Sequence, residues 1–315
     1  MIVTVTPNPA LDVTGHVGRV VVGESHRLTR VTARAGGKGV NVAAVASALG
    51  VPATAILAVG PESAATFETD LARRGVPAVL VPSPVPTRRS VAAVDADGEA
   101  TVLNEEGEAP PSQTWDALVE ALARACDGSD ALVVSGSVAP GSPDGVVTRL
   151  LRTGAAAGCA LVADARGEDL LVALETVRRE GWRLLAKPNL SEARESLGDG
   201  ALDAAACAAA LLDLGAWCAV VSDGARGLVL AVRDGDGVAG WSARLPEPVR
   251  GNPTGAGDAL TAALAAHLGP REPDWELALR AGVAWSAAAV LRPVAGEVDP
   301  DDVARLETQV EITRL

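Results

Sequence analysis

The stretch Gly251-Asn252-Pro253-Thr254-Gly255-Ala256-Gly257-Asp258-Ala259-Leu260 carries residues whose types and spacing suit one chemistry. Its glycines leave backbone N–H groups uncovered, and the alanine-rich run that follows, to about Leu268, has the composition of a helix. The first amides of a helix lack internal partners and attract anions. Asp258 places a carboxylate beside them. Amides that hold a phosphoryl group, next to a base that can deprotonate an attacking hydroxyl, form half of a phosphoryl-transfer centre. The same residues also fit a plain helix start with an acid in its first turn, facing the dipole. The stretch alone leaves both readings open.

Three other polar sites fall where strands are expected to end. The rigid turn Pro7-Asn8-Pro9-Ala10-Leu11-Asp12 ends the apolar strand Ile2 to Thr6 and delivers Asp12 just past it. Asn189 follows a strand over Arg183 to Lys187, and Asp223-Gly224 follows one over Trp217 to Ser222. Ligands of open parallel sheets sit at the carboxyl ends of strands. Each site has a plainer reading: Asp12 as a turn cap, Asn189 and Glu192 as a helix capping box, and Asp223-Gly224 as a turn.

The elements that must position these residues alternate. Strands over 54–59, 76–81, 131–135, 160–164, 183–187 and 217–222 are separated by helices over 40–49, 64–74, 115–126, 144–157, 170–179 and 202–214. Helices over 255–268, 275–291 and 301–310 close the chain. This pattern predicts an α/β fold, a mostly parallel sheet with helices on both faces. Two stretches break it. Residues 13–34 read as short, partly exposed strands. Ser90 to Asp95 and Glu99 to Leu103 flank Asp97-Gly98, a hairpin signal. The expectation is one domain over residues 1–315, with a small β lid formed by about 13–34 and 88–104.

Composition narrows the partners. The 315 residues are 48% hydrophobic and only 2% aromatic, so the core must be aliphatic. A net charge of −13 argues against nucleic acid and against anionic membrane surfaces. Cys126, Cys159, Cys207 and Cys218 form no CxxC pair. No signal-peptide pattern and no transmembrane-length run is present, so a cytoplasmic protein is expected. Among 27 basic residues only Lys38 and Lys187 are lysines, and both lie in motif-like segments. A lysine offers a point charge where a guanidinium fork would not fit. Lys38 is not in a Walker A loop, and no Gly-x-Gly-x-x-Gly separates a strand from a helix.

Four motifs occur in order: Thr6-Pro7-Asn8-Pro9-Ala10-Leu11-Asp12, Gly36-Gly37-Lys38-Gly39-Val40-Asn41, Lys187-Pro188-Asn189-x-x-Glu192 and Thr254-Gly255-Ala256-Gly257-Asp258. Together they resemble the phosphofructokinase B-type, ribokinase-like carbohydrate kinases across nearly the whole chain. The resemblance implies a three-layer α/β/α core and transfer of the ATP γ-phosphoryl to a sugar hydroxyl with Mg²⁺. It implies that Asp258 is the base and that the Gly255, Ala256 and Gly257 amides form the anion hole. Asn189 and Glu192 would orient hydrated Mg²⁺, Lys187 would lie near the nucleotide phosphates, and Ser222, Gly224, Gly227 and Ala284 would line the nucleotide site. Asp12, Gly37 and Asn41 would bind sugar hydroxyls.

The N-terminal motif, Thr87-Arg88 and Thr101-x-x-Asn104-x-x-Gly107 resemble the branch holding 1-phosphofructokinase, tagatose-6-phosphate kinase and the minor 6-phosphofructokinase. That implies a sugar-phosphate acceptor, with fructose 1-phosphate the first expectation and tagatose 6-phosphate or fructose 6-phosphate next. Lys38 and Arg88 would clamp the phosphate already present, with Asn104 beside them in the lid, and the lid could pair two chains into a homodimer. A kinase of neutral sugars or nucleosides, and a non-catalytic sensor on the same fold, are the alternatives. The chain departs from the branch at Arg89-Ser90-Val91-Ala92-Ala93, at Asn252-Pro253, and at Arg166, where a small hydroxyl residue is usual.

Overall fold

The computed structural model describes residues 1–98, 100–235, 237–269 and 272–315. Within them, a ten-stranded sheet runs in the order Glu311–Arg314, Gly237–Arg244, Leu228–Asp234, Cys218–Ser222, Leu184–Ala186, Ala160–Asp164, Ala131–Ser135, Ile2–Thr6, Ala53–Val59, Ala78–Pro82. From Cys218–Ser222 to Ala78–Pro82 every pairing is parallel, and the other three strands add antiparallel. The fold is the expected α/β class.

Both faces of the sheet are covered, as parallel strands require. Successive residues of one strand feed opposite cores: Leu132 and Val134 one, Val133 the other. One core takes helices Lys38–Ala48, Ala256–His267 and Trp275–Val290; the other takes Ser112–Cys126, Val146–Ala156, Gly167–Glu180 and Ala204–Leu214. The cores are aliphatic, with Trp115 and Phe67 the largest fully buried side chains. The four cysteines are free and buried. Among the described residues no helix is long and apolar enough to cross a membrane.

A separate four-stranded sheet has the order Thr29–Gly36, Ala10–His16, Arg88–Val94, Ala100–Asn104. The two stretches that break the alternation meet here: Ala10–His16 pairs in parallel with Arg88–Val94, with Asp12 opposite Ser90. The hairpin strands pair Ser90 with Asn104. Glu99, expected at the start of the second hairpin strand, lies outside the described residues.

Three local readings are corrected. Asp12 does not sit in a turn past the first strand. The turn is confined to Pro7-Asn8-Pro9, and Asp12 is inside a strand of the small sheet. The last helix ends at Glu307, and Glu311–Arg314 is an edge strand on Gly237–Arg244. Residues 17–28 add no strand.

Candidate active site

The chain's two lysines meet on one carboxylate. Strands Ala131–Ser135 and Ala160–Asp164 place Ser135 opposite Asp164, and Ser135 Oγ donates to Asp164 Oδ2 at 3.2 Å. Lys187 extends the neighbouring strand by donating its backbone N–H to Ala163 O at 2.9 Å. That register puts Lys187 Nζ 3.6 Å from Asp164 Oδ1. Lys38, the first residue of its helix, brings Nζ to 3.2 Å from the same oxygen and 3.3 Å from Glu192 Oε1. Burial would raise the Asp164 pKa, but Lys187 and Lys38 hold it below the usual carboxylate range. Burial would lower that of Lys38, and Asp164 and Glu192 hold it above its ordinary value. The Lys187 side chain is 3% exposed and that of Lys38 is 39% exposed, so Lys38 is the one with room to follow a ligand.

Asn189 and Glu192 do form the capping box that the sequence allowed. Asn189 Oδ1 accepts from Glu192 N and Glu192 Oε2 accepts from Asn189 N, each at 2.9 Å. The box rigidifies the helix start Leu190–Leu197 and leaves Glu192 Oε1 facing Lys38. A parallel bridge sets Asn189 beside Ser222. The following turn, Gly224–Arg226, is braced by Arg226, which donates to both Asp223 carboxylate oxygens at 2.6 and 2.8 Å.

Gly255 has φ 87° and caps helix Ala256–His267. This left-handed conformation suits glycine, and a Cβ there would sit 2.9 Å from Ala295 Cβ. Ala256 N donates to Pro253 O at 3.2 Å, and the Gly257 and Asp258 amides are the free first amides of the helix. Lys187 Nζ lies 3.7 Å from where a Gly257 Cβ would be, so the ammonium stands at the same helix start. Asp258, in the first turn, is 6% exposed and accepts from Asn41 Nδ2 at 2.9 Å. Burial pushes its pKa up to about 6, with Asp164 adding to the rise and Lys38, Asn41 and Lys187 opposing it. A carboxyl near 6 is ionised at neutral pH and still basic enough to take a proton in a transition state.

At the lid, Asp12 is likewise pushed up to about 6 by burial, against the pull of Arg88. Its carboxylate occupies the space over Gly36, where a Cβ would be 2.1 Å from it. Arg88 donates from Nε to Asn8 O at 3.2 Å and from Nη1 to Glu105 O at 3.3 Å.

One cavity of about 1010 Å³ joins these groups. Asp12, Gly37, Lys38, Asn41, Arg88 and Asn104 line it, as do Lys187, Asn189, Glu192, Ser222, Gly224 and Gly227, and the turn from Gly255 to Asp258. One expectation changes. Ala284 is fully buried in the core and does not line the cavity; Val283 and Ala287 of the same helix do. Lys38 and Arg88 both line the cavity as expected; Lys38 is engaged by Asp164 and Glu192, while Arg88 donates to the Asn8 and Glu105 carbonyls. Asp164 also lines the cavity and went unassigned in the sequence, although it closes a strand like the other site residues.

The chain is similar to known proteins. Residues 8–302 match the profile described as pfkB family carbohydrate kinase. A 1-phosphofructokinase of Xanthomonas campestris pv. campestris is 31% identical, covering 96% of this chain and 94% of its own. One of Haloferax volcanii is 34% identical, covering 99% and 98%. Among solved structures, Escherichia coli phosphofructokinase-2 in complex with fructose-6-phosphate superposes with a TM-score of 0.82 at 26% identity, covering 98% of each chain.

Proposed function

The chain belongs to the pfkB family of carbohydrate kinases, and from that premise we propose that it transfers the γ-phosphoryl of ATP to fructose 1-phosphate, giving fructose 1,6-bisphosphate. The observation that carries the transfer chemistry is Asp258. A buried carboxylate with a pKa near 6 stands in the first turn of the helix whose free amides, with Lys187, form an anion site. The acceptor hydroxyl gives its proton to Asp258 as its oxygen bonds to the γ-phosphorus. The bond from that phosphorus to the bridging oxygen breaks, and ADP leaves. The Gly255, Ala256 and Gly257 amides and Lys187 stabilise the charge on the moving phosphoryl group.

The other roles follow from position. Ser222, Gly224, Gly227, Val283 and Ala287 form the nucleotide end of the cavity. Asp12, Gly37 and Asn41 hold sugar hydroxyls. Arg88, with Asn104 nearby, takes the phosphate already on the sugar, a charge-assisted contact that a neutral sugar would not use. Lys38, tied to Asp164 and Glu192, serves the transferring phosphoryl.

The described residues contain no cluster of three metal-binding side chains. Glu192 and Asn189, both lining the cavity, offer one carboxylate and one amide oxygen, a donor set that fits Mg²⁺, which keeps waters and takes one or two carboxylates plus substrate phosphates. Glu192, with Asn189, would hold it through water, and the ion would neutralise charge on the triphosphate. A cytoplasmic setting is part of the same proposal. So is a homodimer through the lid, supported by Val31 and Leu103 of the small sheet, exposed at 54% and 67%. Light scattering should give about twice the 31.7 kDa chain mass, and a monomer mass would remove that part.

Fructose 1-phosphate rests on the near full-length relatives named 1-phosphofructokinase. Fructose 6-phosphate stands second, on the neighbour in complex with that sugar. A panel of fructose 1-phosphate, fructose 6-phosphate, tagatose 6-phosphate and free fructose, read by coupled ADP formation, tests the choice. The highest kcat/KM is expected for fructose 1-phosphate. Activity on free fructose alone would overturn the sugar-phosphate reading.

A further inference from the structure

A buried ionic cluster outside the cavity is left unused by this chemistry. It lies at the end of helix Ala64–Arg73, where the Asp70 and Arg74 side chains are 5% and 9% exposed. Asp70 Oδ2 accepts from Ala35 N at 3.1 Å and from Arg74 Nη1 at 3.3 Å. Arg74 Nη1 also donates to Ala35 O at 3.2 Å, and Nη2 donates to Gly296 O at 3.1 Å. Arg34 meets Asp70 Oδ1 at 3.7 Å and Glu297 Oε1 at 2.6 Å. One helix end thus grips two separate segments.

Each gripped segment leads directly to the reacting groups. Ala35 is the penultimate residue of a lid strand and adjoins Gly36-Gly37-Lys38. Gly296 packs on Asn41: a Cβ at 296 would lie 2.7 Å from Asn41 Oδ1 and 3.3 Å from Asn41 Cα. Its neighbour Ala295 packs on Gly255, at the anion site. Asn41 in turn donates to Asp258. No slack separates Arg74 from the base, since the contacts run Arg74, Gly296, Asn41, Asp258. A buried ion cluster is weak evidence for stability, because desolvation offsets most of the attraction. The planar fork of arginine does something a lysine could not: it bonds two carbonyls and a carboxylate in fixed directions.

We propose that Arg74 is a positioning residue. It ties the base of the lid to the Ala295–Glu297 segment and thereby holds Asn41 on Asp258 and the Gly255 turn in place for transfer. The kinetic half of this proposal rests on Asp258 being the base; the structural half does not.

The test compares Arg74→Ala, Arg74→Lys, Gly296→Ala and the control Arg73→Ala. Arg73 also pairs with Asp70, at 2.6 Å, but is 67% exposed and does not reach Gly296. Hydrogen–deuterium exchange is measured on the folded proteins in segments 37–41 and 255–259 at the Asn41 and Ala259 amides, which donate to Gly37 O and Gly255 O at 3.1 and 2.9 Å. Arg74→Ala should speed exchange in both segments by about tenfold or more, and Arg73→Ala in neither. In steady-state assays with fructose 1-phosphate, Arg74→Ala and Gly296→Ala should lower kcat by up to about a hundredfold, the scale of a small misplacement. The ATP KM should stay within about twofold. Arg74→Lys, which keeps the charge but not the fork, should recover less than half of the loss. Unchanged exchange in both segments for Arg74→Ala, or the same effect from Arg73→Ala, would overturn the proposal. If the wild-type protein is inactive on every sugar phosphate, the substrate reading falls and the exchange comparison still decides this one.

Discussion

Replacing Asp164 by Asn removes one charge and little volume from the point where both lysines converge. Attraction at 3.2 and 3.6 Å is worth about 5 kcal/mol each at an effective dielectric of about 20, before desolvation is subtracted. Lys38 is partly solvated and can turn to water, so its share is largely screened. Lys187 is 3% exposed and cannot. Breaking a buried pair by removing one partner costs about 3–5 kcal/mol. A chain of 315 residues unfolds with an entropy of about 0.66 kcal/mol/K, so Tm should fall by about 5–8 °C. Asp164 is held below the usual carboxylate range, so its contribution is complete above about pH 4 and is lost as pH falls through its depressed value. Scanning calorimetry of wild type and Asp164→Asn between about pH 7 and 8, above the Asp258 titration near 6, should therefore give a constant gap. Adding Lys187→Met, which removes the stranded charge, should recover part of the lost stability. A Tm drop under about 2 °C, or no recovery in the double variant, would refute the claim that Asp164 balances a buried lysine.

Arg88→Ala should raise the sugar-phosphate KM by about 10–100-fold, the worth of a charged hydrogen bond, and leave the ATP KM within about twofold; equal effects on both would detach Arg88 from the sugar. Asp258 and Asp12 both have pKa values near 6, each raised first by burial, and the base must be ionised, so kcat/KM should rise with pH through about 6 and level off above it. Asp258 helps raise Asp12, so the two titrate as a pair, and a profile flat down to about pH 5 would contradict the assignment. Ala287→Leu should raise the ATP KM with little loss of stability, whereas Ala284→Leu should cost about 1–3 kcal/mol of stability by overpacking. Melting curves and ATP kinetics separate the two, and the reverse pattern would restore Ala284 to the cavity wall.

The parts of the site that lie within one short segment were readable from residue types: the Gly255 turn with Asp258 and the Asn189–Glu192 pair. The α/β alternation was readable because strands buried on both faces are continuous apolar runs. What escaped depends on register and phase. Asp164 matters because parallel pairing aligns it with Ser135 and brings Lys187 alongside, and strand register is not written in local sequence. Helix Trp275–Val290 is alanine-rich on several faces, so its pattern could not show that Val283 and Ala287, not Ala284, meet the cavity. The edge strand Glu311–Arg314 is short and mostly exposed, with little apolar signal.

The central claim is that Asp258 takes the acceptor's proton at an anion site made by its own helix. Asp258→Asn keeps the size and the position next to Asn41 but removes the base. With fructose 1-phosphate and ATP at neutral pH, turnover should fall by about 10²–10⁴-fold, the range for a lost general base, while ATP binding measured by calorimetry stays within a few-fold of wild type. Turnover within about tenfold of wild type, with the protein folded and ATP bound, would contradict the account.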